Sequence, residues 1–203
     1  MSQDQKQQII IEAAIKRFAH FGVGKTTMSE IAADLSISKA SLYYYFPDKL
    51  NLYAEVLRTI TGENEKADEE ELLREKDPFR AINIYLEKRT DFIIRYHNIL
   101  EFLKTYTPSQ IPAELAPMFN YWKKRQLRRL TAIIQSGVDS GIFLIKDVTR
   151  IGGLFFDFLE GFRYNSLVQS TDFFPDKKQF LAILKREKEF SLIFLNGLTI
   201  KGS

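Results

Sequence analysis

The sequence predicts an all-α fold, with three helices over residues 1–47 and a larger helical domain over residues 48–203. Two observations carry this. Residues 26–49, TTMSEIAADLSISKASLYYYFPDK, hold two helix-start signals joined by a turn of about three residues. Elsewhere apolar residues recur at three- and four-residue steps, with glycine and proline marking the breaks.

The first helix is expected over Gln5 to Phe21. Ile10, Ala14, Phe18 and Phe21 line one face, and Gly22 and Gly24 end it. His20 in its last turn has no nucleophile nearby and suits packing or the helix dipole. The following GVGKTT resembles the end of a phosphate-binding loop. That loop needs a glycine where Ala19 stands, and a strand before it, so nucleotide hydrolysis is not expected.

Thr27 and Glu30 form a capping box for the second helix, whose apolar stripe is Ile31, Ala32 and Leu35. Ser36-Ile37-Ser38 breaks the pattern. Ser38 is the next N-cap, and Ile37 reaches Leu42 as a hydrophobic staple. With Leu42 placed inward, steps of about 100° put Phe46 beside it and Tyr45 on the flank. Ala40 and Tyr44 then point outward, with Ser41 and Tyr43 between. Taken alone, three consecutive tyrosines fit half-buried packing equally well. With the caps and the turn, this small-then-phenolic face suits a helix whose N-terminal end enters a major groove while hydroxyls reach flanking phosphates.

These residues also carry a resemblance. Thr26-Thr27, Ile31-Ala32, Leu35, Ile37-Ser38, Leu42-Tyr43, Tyr45-Phe46, Lys49 and Leu52 follow the fixed spacing of the DNA-binding domain of the TetR family of bacterial repressors. The likeness is dense but covers only about a quarter of the chain. It implies that Lys39, Ala40, Ser41 and Tyr43 lie nearest the bases, although Ala40 brings no hydrogen bond. It implies that Thr26, Thr27, Tyr44, Tyr45 and Lys49 serve phosphates. It further implies a dimer on palindromic double-stranded operator DNA, an effector in the second domain, and a dimer contact built from the last two helices.

Composition bounds the rest. The 203 residues are 45% hydrophobic and 27% charged, enough for one or two domains with a core. The absence of cysteine excludes a disulfide framework and thiolate chemistry, and fits a reducing cytoplasm. The opening MSQDQKQQ lacks an apolar leader core, and no run approaches the length of a membrane span. Residues 1–50 hold six basic and five acidic side chains, a net of +1. Phosphate contacts must therefore draw on hydroxyls and backbone amides, with a modest salt dependence.

A fourth helix is expected from Pro47-Asp48 to about Leu73 on the stripe Leu50, Tyr53, Leu57 and Ile60, linking the reading head to the second domain. The acidic run Glu63 to Asp77 reads as a solvated face. A helix follows over Pro78 to Tyr96, a shorter one over Ile99 to Tyr106, and a loop punctuated by Pro108, Pro112 and Pro117. The next helix ends at Ser140-Gly141, and its run Lys123, Lys124, Arg125, Arg128 and Arg129 also reads as solvated. Val148 to Val168 and Asp176 to Ile200 are the last helices. Their surplus of apolar residues, notably Phe155, Phe158, Phe162, Ile193, Phe194 and Leu198, marks an interface or simply a core.

Candidate ligand contacts are the aromatics Phe92, Tyr96, Phe102, Tyr106, Tyr121, Trp122, Phe155 and Phe158, with Arg95 and His97 as polar anchors; packing competes for every one of them. Such a lining suits a hydrophobic or amphipathic molecule. The leading expectation is a dimeric repressor released by such a ligand, its inducer tilting the fourth helix at a coupling of about 1–3 kcal/mol. A structural DNA-binding protein without an effector is the alternative. An enzyme is disfavoured because no nucleophile elbow, zinc motif or paired carboxylates stand out, and only two histidines are present. No metal and no cofactor is expected.

Overall fold

The computed structural model describes residues 2–63, 65–106, 110–168 and 177–199. Helix α1 spans Gln3–Phe21 and starts two residues before the expected position, because Ser2 and Gln5 form a capping box. Gly22 follows at φ +79°, and its amide donates back to the Phe18 carbonyl at 2.9 Å. Helices α2 (Met28–Asp34), α3 (Lys39–Tyr45) and α4 (Lys49–Gly62) follow.

The chain forms two compact units. The first comprises Met1–Glu63 with Arg95–Trp122, and the second Asn64–Ile94 with Lys123–Ser203. The boundary expected at residue 47 is thus not where the packing divides. Helix α4 packs on α1, as does the short α7 (His97–Leu100), so both belong with the reading helices. Phe18, Leu42, Leu52, Tyr53, Val56, Leu57 and Ile60 are fully buried in this first core. The Tyr53 hydroxyl donates to the Ile99 carbonyl at 2.8 Å, and burial pushes that phenol's pKa up. The Tyr53 ring meets Phe18 and Phe102 edge-on. Residues 101–105 form a 3-10 turn, so the helix expected to reach Tyr106 is tightened from Glu101 onward. Of the punctuated loop, Pro108 lies outside the described residues.

The helix expected to run from Pro47 to Leu73 is broken. Helix α4 ends at Gly62, Glu63 is extended at φ −58° and ψ 130°, and α5 begins anew at Glu65, running to Arg74. Glycine is a weak helix former, and the Thr61 hydroxyl bonds back to the Leu57 carbonyl at 2.7 Å. Tyr96 holds Glu63 outside the helix by donating its hydroxyl to that carboxylate.

In the second unit, α6 (Pro78–Arg95), α8 (Ala116–Asp139), α9 (Val148–Val168) and α10 (Lys177–Asn196) follow α5. Only the residues of α8 from Lys123 onward belong to this unit. The expected bounds of the last helix, Asp176 and Ile200, lie outside the described residues. The acidic and basic runs, both expected to be solvated, are so only in part: Lys123, Lys124, Arg128, Glu70 and Glu71 are exposed, but Arg125 is buried and ion pairs join α5 to its neighbours. Lys88 of α6 pairs with Asp68 at 2.9 Å and Glu71 at 2.8 Å, while Arg125 of α8 pairs with Glu65 at 3.4 Å and Arg128 with Glu69. Opposite charge docks α5, whose sequence has little apolar surface to bury.

A second ionic group lies in the interior. Glu187 of α10 is fully buried and takes a bidentate grip from Arg163 of α9, which also donates to the Thr90 hydroxyl at 3.2 Å. Arg89 of α6 pairs with Glu160. Gly137 is required where it stands, because a Cβ there would meet the Phe143 ring. Among the described residues no helix is long and apolar enough to cross a membrane.

Candidate nucleic-acid interface

The site is built from α2, the turn after it, and α3. Thr27 accepts from the Glu30 amide at 3.3 Å, and Glu30 accepts from the Thr27 amide at 2.8 Å and its hydroxyl at 2.9 Å. These bonds, with a smaller contribution from Arg17, hold the Glu30 carboxyl below its ordinary pKa. Arg17 also pairs with Asp34 at 3.2 Å, tying α1 to α2. The turn passes through Ser36 at φ +52°, a left-handed conformation uncommon outside glycine, with the Ser36 and Ile37 amides bonded back to Ala33 and Ala32 at 3.0 Å. Ser38 then caps α3 by accepting from the Ser41 amide at 3.0 Å.

Leu42 and Phe46 are buried and fix which face α3 turns inward. Lys39 and Ala40 are exposed, Ser41 and Tyr45 are half-buried, and Tyr44 is 73% exposed. The Lys39 ammonium lies 5.6 Å from the centre of the Tyr43 ring, a cation–π contact along the outer face. Tyr44 and Tyr45 meet edge-on at 5.2 Å. The outer face therefore runs from Lys39, Ala40 and Ser41 at its start to the phenols of Tyr43 and Tyr44 beyond.

Two expected phosphate ligands are employed elsewhere. Thr26 is buried, and its hydroxyl donates to the Gly22 carbonyl at 2.9 Å. The Lys49 ammonium donates to the carbonyls of Val23 at 2.9 Å and Thr26 at 3.0 Å. Both side chains close the loop between α1 and α2, where the Val23 carbonyl also accepts from the Thr26 amide at 3.3 Å. Thr27 is exposed but keeps its hydroxyl on Glu30.

The expected ligand aromatics divide between the units. Tyr96, Phe102, Tyr106, Tyr121 and Trp122 belong to the first, and Phe92, Phe155 and Phe158 to the second. Phe102 and Tyr106 meet edge-on at 5.7 Å, beside Tyr53. Tyr96 is buried and bonded to Glu63. Of the two suggested anchors, Arg95 is exposed and His97 contacts Glu101 at 3.2 Å. An open cavity of about 270 Å³ in the second unit is lined by Phe79, Ile82, Asn83, Lys188, Glu189 and Leu192, none of them among the expected contacts.

Of the expected interface residues, Phe155 is fully buried and stacks on Phe194 at 4.5 Å, which places it in the protomer's own core. Phe158 is 41% exposed and Ile193 71% exposed, while Phe162, Phe194 and Leu198 are half-buried. Leu154, one turn before Phe158 and half exposed, joins this apolar face; its place on α9 in phase with Phe158 is the signal that marks it.

Two capped helices, a tight turn between them and a clean outer face define a helix-turn-helix transcriptional regulator. The sequence pattern of bacterial regulatory proteins of the tetR family matches residues 10–56. The uncharacterized HTH-type transcriptional regulator YhgD of Bacillus subtilis (strain 168) is 32% identical over 148 residues, covering 70% of this chain and 71% of that protein. A transcriptional regulator from Cytophaga hutchinsonii ATCC 33406 superposes with a TM-score of 0.83 at 28% identity, over 96% of this chain and 99% of the other. A transcriptional regulator from Saccharomonospora viridis, solved in complex with choline, superposes with a TM-score of 0.69 at 17% identity, over 98% and 100%. The chain belongs to the TetR family of bacterial transcriptional regulators.

Proposed function

We propose that this regulator is a dimeric repressor whose two copies of α3 read a palindromic operator, and that a small hydrophobic or amphipathic effector releases it. The outer face of α3 carries the reading: Lys39, Ala40, Ser41 and Tyr43 toward the bases, with Tyr44, Tyr45 and Thr27 toward phosphates. With Thr26 and Lys49 engaged in the loop, the exposed Lys25 joins the phosphate set. The exposed apolar face of α9 and α10, centred on Leu154, Phe158 and Ile193, supports a two-fold contact with a second copy. The choline complex of a protein of the same fold supports a small effector.

The test is a fluorescence anisotropy titration of duplexes from the chain's own gene neighbourhood, with sedimentation of the free protein in parallel. Saturable binding at a stoichiometry of two chains per palindrome, by a protein that sediments as a dimer at micromolar concentration, is expected. A stable monomer with no preference among duplexes refutes the reading.

A further inference from the structure

The layer between α6 and α8 holds a guanidinium with no direct ion pair among the described residues. Helix α5 supplies carboxylates to Lys88, Arg125 and Arg128 in turn. Deeper in the unit, Arg89 has Glu160 and Arg163 has Glu187. Arg129 is half-buried and receives no carboxylate within ion-pair distance among the described residues. It has only the backbone carbonyl of Glu65, 3.5 Å from Nη2, at the limit of a hydrogen bond, and its Nε is buried with no acceptor. Burial, and then the neighbouring Arg125, disfavour its charged form and outweigh Asp68 and Glu69, which favour it from beyond ion-pair distance.

Two further groups in the same layer are unpartnered. The hydroxyl of Tyr85 on α6 is buried without a hydrogen bond, within electrostatic reach of both Arg129 and Arg89. Gln126, one turn before Arg129 on α8, has a buried amide oxygen with no donor. Folded proteins satisfy nearly all buried polar groups, so the two orphaned donors, the Arg129 Nε and the Tyr85 hydroxyl, point to a missing acceptor, whereas the Gln126 oxygen calls for a donor such as water. Ordered water satisfies a phenol and an amide, but it does not neutralise a half-buried guanidinium.

We propose that Arg129 and the Tyr85 hydroxyl form the head-group site for an anionic effector, a carboxylate or a phosphate monoester borne on an apolar body. Guanidinium and phenol are both donors, and an anion accepts from both at once. The apolar body meets Leu130, Ile133 and Ile134, which α8 buries next to this layer. Arg125, one turn away on α8, draws the same anion, so the ligand competes with Glu65 for its partner. Glu65 is the first residue of α5 and lies two positions past Glu63, where the first unit's opening segment ends. This deepens the effector-released reading above and rests on it.

The experiment uses four eight-carbon probes on the full chain without DNA: octanoate, octyl phosphate, octylamine and octanol. Binding is read by calorimetry and by thermal shift, on the unmodified protein and on Arg129→Met and Tyr85→Phe. At least one of the two anions is expected to bind and raise the melting temperature, and which one does so identifies the head group. Arg129→Met is expected to lose about ten- to hundred-fold in affinity for that anion. Its melting temperature without ligand is expected to be no lower than that of the unmodified protein, because a half-buried charge with no direct ion pair is removed. Tyr85→Phe is expected to weaken the anion by a smaller factor. The proposal is overturned if neither anion binds, if octanol or octylamine binds equally well, or if Arg129→Met retains the anion. It is also overturned if Arg129→Met melts lower without ligand, since Arg129 would then be a structural cation. None of these outcomes involves operator DNA, so each leaves the DNA-reading assignment standing.

Discussion

Replacing Lys49 by methionine separates a loop anchor from a phosphate ligand. Methionine keeps most of the aliphatic stem but deletes the ammonium that bonds Val23 and Thr26. Two charge-assisted bonds to carbonyls contribute about 1.5 kcal/mol each at the low end appropriate to a half-exposed group, so the loss is about 2–3 kcal/mol. For a chain of this length that lowers the melting temperature by roughly 5–10 °C. Operator affinity is to be titrated at three salt concentrations, at a temperature where the variant is folded. The slope of log K against log salt is expected to be unchanged. A variant with unaltered melting temperature and a slope reduced by about 0.9 would refute the loop-anchor role and restore Lys49 to the phosphates.

Other variants test the remaining supports. Glu187→Ala leaves Arg163 charged and buried, and is expected to cost about 3–5 kcal/mol in urea unfolding, whereas the double change Glu187→Leu with Arg163→Met recovers most of it. Ser36→Gly relieves a left-handed serine and is expected to leave stability level or raise it by up to about 1 kcal/mol, while Ser36→Val lowers it. Because the Glu30 carboxyl titrates below its ordinary 4.5, its contribution to the α2 cap is complete above that pH and is lost as pH falls through the depressed value. The protection factor of the Thr27 amide, taken against its intrinsic exchange rate, is expected to fall there, and Glu30→Gln to remove that pH dependence. Phe158→Asp is expected to give a folded monomer with weakened operator binding by sedimentation and anisotropy; a folded dimer would place the interface elsewhere.

The reading head was legible because its signals are local. Thr27, Glu30 and Ser38 cap within three residues, and the inward direction of Leu42 assigns every outward neighbour on a seven-residue helix. The bonds that Lys49 and Thr26 make depend on the path of the loop, of which residue spacing carries no record. The ion pairs between the acidic and basic runs are hidden for the same reason. A charged helix face reads as solvated until tertiary packing sets α5 against α8. Glu187 did leave a trace: it falls in phase with Phe180, Ile183, Ser191 and Leu195 on the buried stripe of α10, where a carboxylate demands a cation. The break at Gly62 was visible as a glycine, but the extended Glu63 depends on Tyr96, more than thirty residues on.

The absence of cysteine allows the most direct test of the central claim, that the outer face of α3 meets the operator. An iron–EDTA cleavage reagent attached at Lys39→Cys or at Tyr44→Cys, on either side of the groove-facing residues, reports which DNA lies within reach of α3. The same reagent at Lys185→Cys, exposed on α10, serves as the control. Two clusters of strand cleavage are expected from the α3 positions, one in each half-site and centred about 34 Å apart along the duplex, with none from position 185. Protected, intact half-sites with both α3 reagents, or equal cleavage from position 185, would contradict the assignment of α3 as the reading helix.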